Sequence, residues 1–262
     1  MLFYFTATGN SLYVAKKIDK NPISIPQVLR CQCNLNFTNE TIGIVCPIFA
    51  GEPPKIIVDF MRKAKFKTDY FYVIMTYGND HTDAAEWTER IGKEYGIKID
   101  YINTVKMVDN YLPVFDMNEQ MAIDKKVDEQ INIIIEELAE KKCKILESTE
   151  QGRKLHAAVA EHFKENPSLI NGEQLIIKEE CNGCGICSQV CPMENICIEN
   201  DKAKRRNNTC YFCLSCIQNC LNKSIGLSGM DRNPNARYRN EHITLGEIIA
   251  ANNQNRHKGE LV

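Results

Sequence analysis

The chain is 262 residues long, a length that suits one large or two modest domains. With 44% apolar and 25% charged residues it has the composition of a folded globular protein, which excludes a largely disordered chain. A formal net charge of −2 gives no support for nucleic-acid binding by bulk charge.

The first residues, Met1 to Asn10, lack the basic start and long apolar stretch of a signal peptide. No window approaches the ~20 apolar residues that span a bilayer. The expectation is a cytoplasmic protein without a membrane span, in a compartment where thiols stay reduced.

Elements then alternate. Leu2–Phe5 reads as a short strand, and Asn10–Lys20 as a helix with Leu12, Ala15 and Ile18 at helical spacing. Thr41–Cys46 is a β-branched strand stopped by Pro47. Pro53 and Pro54 open a helix over Lys55–Lys65, since a proline in the first turn loses no bond it would have made. Tyr70–Thr76 is the next strand, Asp83–Tyr95 the next helix, closed by Gly96, and Ile97–Met107 another strand. Strands alternating with helices of this length imply βαβ units and a parallel sheet. Asn118–Lys142 then carries one apolar stripe through Met121, Val127, Ile131, Ile134 and Leu138, which predicts a long helix. Gln151–Lys164 predicts a second. Pro167 and Gly172 mark a boundary near 165–175, dividing the chain into 1–170 and 171–262. The tail holds one helix-like run, Leu245–Ala251.

Three loops follow predicted strands. In the first, Thr6, Ala7, Thr8, Gly9, Asn10 and Ser11 bring hydroxyls, an amide and backbone N–H groups to a helix N-terminus. Such a place favours a phosphate monoester. It also reads as an ordinary capped helix start. The loops containing Phe49 and Gly51, and Tyr77, Gly78 and Asn79, each offer an aromatic and a small residue. In an open α/β sheet, ligands bind beyond the carboxyl ends of strands.

The chain has 13 cysteines, nine of them between Cys181 and Cys220. Cys181, Cys184, Cys187 and Cys191 are spaced C-x2-C-x2-C-x3-C with Pro192 next, and Cys210, Cys213, Cys216 and Cys220 repeat the spacing. By the rule for two-cluster runs, the fourth cysteine of each run ligates the other cluster. One 4Fe–4S cluster is then assigned Cys181, Cys184, Cys187 and Cys220, and the other Cys210, Cys213, Cys216 and Cys191. Zinc also uses C-x2-C pairs, but two four-cysteine runs of identical spacing are hard to obtain that way. Cys31, Cys33, Cys46, Cys143 and Cys197 read as ordinary thiols, and the five histidines as scattered surface or core residues.

The loop from Phe5 to Ser11 resembles the flavodoxin signature, and the whole chain resembles the fused flavodoxin–ferredoxin proteins of anaerobes. That resemblance implies an α/β flavodoxin-like doubly wound parallel sheet followed by a small α+β bacterial ferredoxin-type two-cluster domain. It implies FMN, with Thr6, Ala7, Thr8, Gly9, Asn10 and Ser11 on its phosphate and Phe49, Gly51, Tyr77, Gly78 and Asn79 around its ring. It also implies two 4Fe–4S clusters and electron transfer to a partner redox enzyme. The alternative is an oxidoreductase whose clusters feed FMN for reduction of a quinone or nitro compound. The basic run from Lys202 to Arg206 would then be either a solvated loop or a docking patch for an acidic partner.

Overall fold

A computed structural model describes residues 1–31 and 34–254. Six strands form one parallel sheet: β1 (Leu2–Tyr4), β2 (Ile23–Ser24), β4 (Thr41–Pro47), β6 (Tyr70–Tyr77), β7 (Tyr101–Lys106) and β8 (Lys144–Ile145), in the order β2-β1-β4-β6-β7-β8. Between them, β3 (Asn36–Thr38) and β5 (Lys65–Lys67) pair as a separate parallel ribbon. This is the predicted α/β sheet. β2, β3, β5 and β8 have two or three residues each, too short for a period-2 pattern to register.

Side chains alternate across the sheet and build a core on each face. On β6, Tyr70, Tyr72 and Ile74 join one core, while Phe71, Val73 and Met75 join the other. The first core takes Leu12, Val14 and Ala15 from α1 (Asn10–Ile18). The second lies under α2 (Ile25–Cys31), α3 (Lys55–Lys63) and α4 (Ala84–Glu94), with Ile57, Phe60 and Met61 buried.

The long helix expected over Asn118–Lys142 is two. α5 (Met117–Met121) ends, and α6 (Val127–Ala139) starts after a turn in which Lys126 takes φ 52°. Asp124 Oδ1 accepts the Lys126 N–H at 2.9 Å, a local side-chain turn that competes with the helix. Then α7 (Glu150–Glu165) begins on the cap Thr149, whose hydroxyl accepts the Gly152 N–H.

Beyond residue 170 the elements are small: β9 (Leu175–Ile177), α8 (Ile186–Gln189), β10 (Ile196–Glu199), β11 (Lys202–Arg205), α9 (Ser215–Gln218) and β12 (Ile225–Leu227). β9 pairs antiparallel with β12 and β10 with β11, around a third core containing Ile196, Phe212, Leu214 and Ile217. Leu112 and Met117, from the segment after β7, join that core. The last helix, α10 (Leu245–Asn252), turns back to the sheet, where Ile248 and Ala251 enter the first core. Among the described residues no helix is long and apolar enough to cross a membrane.

Candidate functional site: two cysteine-lined cavities and a closed loop cluster

The two cysteine runs fold alike. Gly183 and Gly185 take φ 65° and 81°, and at the matching positions of the second run Phe212 and Leu214 take φ 49° and 58°. A left-handed residue at each point lets the backbone curl so that thiols three apart face inward, before the short helix α8 or α9 carries the fourth cysteine away. Glycine does this freely, whereas Phe212 and Leu214 do it against strain and are held by burial in the third core.

Cys181, Cys184, Cys187 and Cys220 line one cavity, with about 300 Å³ of space between atoms, part of it open to solvent. Cys191, Cys210, Cys213 and Cys216 line the other, of about 410 Å³. Each cavity thus takes three thiols from one run and the last from the other. Backbone N–H groups point at the sulfurs: Ala203 to Cys181 at 3.4 Å, Ser224 to Cys220 at 3.3 Å, Asn195 to Cys191 at 3.4 Å and Phe212 to Cys210 at 3.2 Å. Burial, then the neighbouring Cys181, Cys220 and Cys184, pushes the Cys187 thiol up to about 12. Burial likewise raises Cys213 and Cys216. Four thiolates so placed repel one another in a poorly solvated space, and a cationic inorganic core is the partner such a donor set fits. Among the described residues, no group of three or more His, Cys, Asp or Glu could hold a single metal ion. The two cavities differ in access, since Cys184 of the first is exposed.

Cys197 lines neither cavity and contacts Glu199 and Lys204 instead. Cys46 is buried in the sheet core, which raises its thiol, and Cys143 is exposed. Cys31 is disulfide-bonded, a departure from the plain thiol expected, and Cys33 lies outside the described residues. The basic run is β11 with its flanks. Lys204 pairs with Glu199 at 2.6 Å, Lys202 donates to the Glu179 carbonyl, and Arg205 has a buried guanidinium nitrogen. Only part of that run faces solvent.

The three loops of the sheet do meet at one end, as parallel strands require. Ser11 Oγ and Thr76 Oγ1 lie 2.8 Å apart, joining the first loop to the end of β6. The loop groups are nonetheless engaged within the chain. The Gly9 N–H donates to Thr6 Oγ1 at 3.1 Å, and the Thr8 hydroxyl accepts from Asn110 Nδ2 at 2.6 Å. Asn10 donates to the Val108 carbonyl and accepts from the Tyr238 hydroxyl at 2.6 Å. Asn10 is 8% exposed, and Thr6 and Ser11 only 1%. Phe49 and Glu52 close the second loop through two mutual backbone bonds. Gly51 lies under His156 of α7, and a Cβ there would come within 2.5 Å of the ring. Tyr77 and Gly78 are half-buried and Asn79 is exposed, with Asp109 over Gly78, 2.2 Å from where a Cβ would stand. FMN needs open donors beside Gly9 and room between the other two loops. With the first loop's side chains paired and Gly9, Gly51 and Gly78 covered by Asn240, His156 and Asp109, the residues present do not fit that group. A cleft beside this cover is lined by Tyr13 of α1, Val108, Lys125, Tyr238, Asn240 and His242.

The groups that close the loops, Asn110, Ser215, Tyr238, Asn240 and Asn252, are absent from the sequence-based site. The one sign available is the run of asparagines after residue 232, polar residues that end up buried at Asn240, Asn252 and Asn253.

No protein-family model matches the chain, and no curated protein matches it. Among solved structures, the Trp repressor binding protein from Bacillus subtilis is similar over 40% of this chain and 81% of its own, with 14% identity and a TM-score of 0.28. A likeness that distant carries no argument about fold or function.

Proposed function

We propose that this chain is an electron-transfer iron–sulfur protein, in which each cysteine-lined cavity holds a 4Fe–4S cluster and a redox enzyme is the partner. Such a cluster exchanges single electrons at a potential set by burial and by hydrogen bonds to its sulfurs. The observation that carries the reading is the crossed lining: Cys220 belongs with Cys181, Cys184 and Cys187, and Cys191 with Cys210, Cys213 and Cys216. The residues' work is to hold thiolates, direct N–H groups at them and exclude water. The exposed Cys184 makes its cavity the face a partner meets.

The test is anaerobic purification with an iron count and EPR spectra. The intact chain is expected to hold about eight irons, four per cluster. Cys220→Ser should lose the same EPR signal as Cys184→Ser, although the two residues sit in different runs. Cys191→Ser should match Cys213→Ser. Variants grouped instead by run, or zinc in place of iron, would overturn the proposal.

A further inference from the structure

We propose that the flavodoxin-type loop, residues 6–11, is the seat on which the chain's own C-terminal half is fastened, and that the folded protein carries no flavin. Three successive carbonyls make the case. The Thr6 carbonyl accepts from Asn252 Nδ2 at 2.9 Å, the Ala7 carbonyl from Ser215 Oγ at 2.7 Å, and the Thr8 carbonyl from the Asn240 N–H at 2.8 Å. A phosphate site presents donors to its ligand. This loop presents acceptors, and its partners supply the donors. All three carbonyls are bound by donors from the C-terminal half, and the loop has no lysine or arginine to draw in an anion.

The space itself is taken. At Gly9, φ 103°, a Cβ would meet the Cβ of Asn240 at 2.9 Å and of Ile243 at 3.0 Å. The polar side chains assigned to a phosphate have partners inside the protein, as described for Thr6, Thr8, Asn10 and Ser11. Nor is the cover a loose flap. Ser215 is fully buried, opens α9 and directly precedes Cys216, which lines the second cysteine cavity. Asn252 is also fully buried. The loop therefore ties the sheet to the backbone that sets a cavity wall. Lifting the cover far enough to admit FMN would move that wall.

This inference stands apart from the proposed function, because flavin content tests one and iron content the other. The full-length chain, reconstituted anaerobically with iron and sulfide, is dialysed against excess FMN, and protein-bound flavin is measured by absorbance and by quenching of FMN fluorescence. The expected result is a full iron complement with no retained flavin and no quenching. Stoichiometric FMN on the iron-loaded chain overturns the proposal. The double variant Asn240→Ala, Asn252→Ala removes the Asn240 amide from Asn10 Oδ1 and the Asn252 amide from the Thr6 carbonyl, keeps the Asn240 N–H on Thr8, and leaves every loop residue and cysteine in place. It is expected to stay flavin-free and to lose the signal of the cluster bound by Cys216 several-fold faster in air than the parent does. If that variant takes up FMN, the loop is a covered flavin site and not a seat. If its cluster lifetime is unchanged, the seat does not support the cavity. Either result overturns the proposal.

Discussion

Gly183 and Gly185 share a left-handed backbone but not a neighbourhood. A methyl at Gly183 would meet the Asp201 carbonyl at 2.6 Å, whereas one at Gly185 has nothing nearer than 3.6 Å. Gly185→Ala should therefore cost only the strain of its φ, about 1 kcal/mol. Gly183→Ala must also displace backbone and should cost more than twice that, with loss of the absorbance of the cluster proposed beside it. Denaturant titration and visible spectra of the two variants measure the difference, and equal effects would contradict it. A second residue-scale prediction concerns pH. The Tyr101 hydroxyl donates to Glu137 at 2.5 Å, and this bond, ahead of the Lys144 ammonium, holds the Glu137 carboxyl below the usual carboxylate range. A depressed carboxylate stabilises the fold fully above its unfolded value of about 4.3 and less as pH falls through its folded value. Glu137→Gln should cost about 1.5 kcal/mol at neutral pH, the low end for a hydrogen bond to a charged group. The deficit should vanish in acid, which denaturation at the two pH values would show. The crossed grouping of the cysteines was legible from spacing alone, because the two runs repeat the same intervals. That Phe212 and Leu214 copy a glycine backbone was not, since burial in a core gathered from distant parts of the sequence is what holds them there.

At the scale of elements, the long strands and helices were legible because their periods are long enough to repeat. The break between α5 and α6 escaped that pattern because one aspartate turns the chain locally while the apolar stripe runs on. α10 is a case where both levels agree. The Thr244 hydroxyl accepts the Glu247 N–H at 3.3 Å, and the Glu247 carboxylate accepts the Thr244 N–H at 2.8 Å, a reciprocal cap. Thr244→Ala should cost about 1 kcal/mol and lower Tm by about 2–4 °C for a chain of this size. Because α10 carries Asn252 to the Thr6 carbonyl, fraying of this helix would also be felt at the first loop of the sheet. Hydrogen exchange at residues 6–11 should rise with the substitution, and an unchanged pattern there would separate the helix from the loop.

For the molecule as a whole, the sequence divides near residue 170, but the packing does not stop there. Ile243, Ile248 and Ala251, with Val190, complete a core whose other members lie on the sheet, on α1 and α6 and just after β7. A chain ending at residue 170 should therefore lack a cooperative unfolding transition, because it leaves apolar surface open and three loop carbonyls without donors. A sharp transition in that truncated chain would show that the return of α10 adds little. The parallel sheet was legible from alternation; the return was not, because a contact between residues 6 and 252 leaves no local period to read. It does leave an order of events during synthesis. The Thr6 carbonyl and the Asn252 amide are 246 positions apart, so at about 5–20 residues per second translation leaves the loop waiting for about 12–50 s. All the paired-run cysteines leave the ribosome before Asn252 does. On the proposed function, metal can therefore reach every thiol while the protein is still open, and closing the last contact becomes the step that records whether assembly came first.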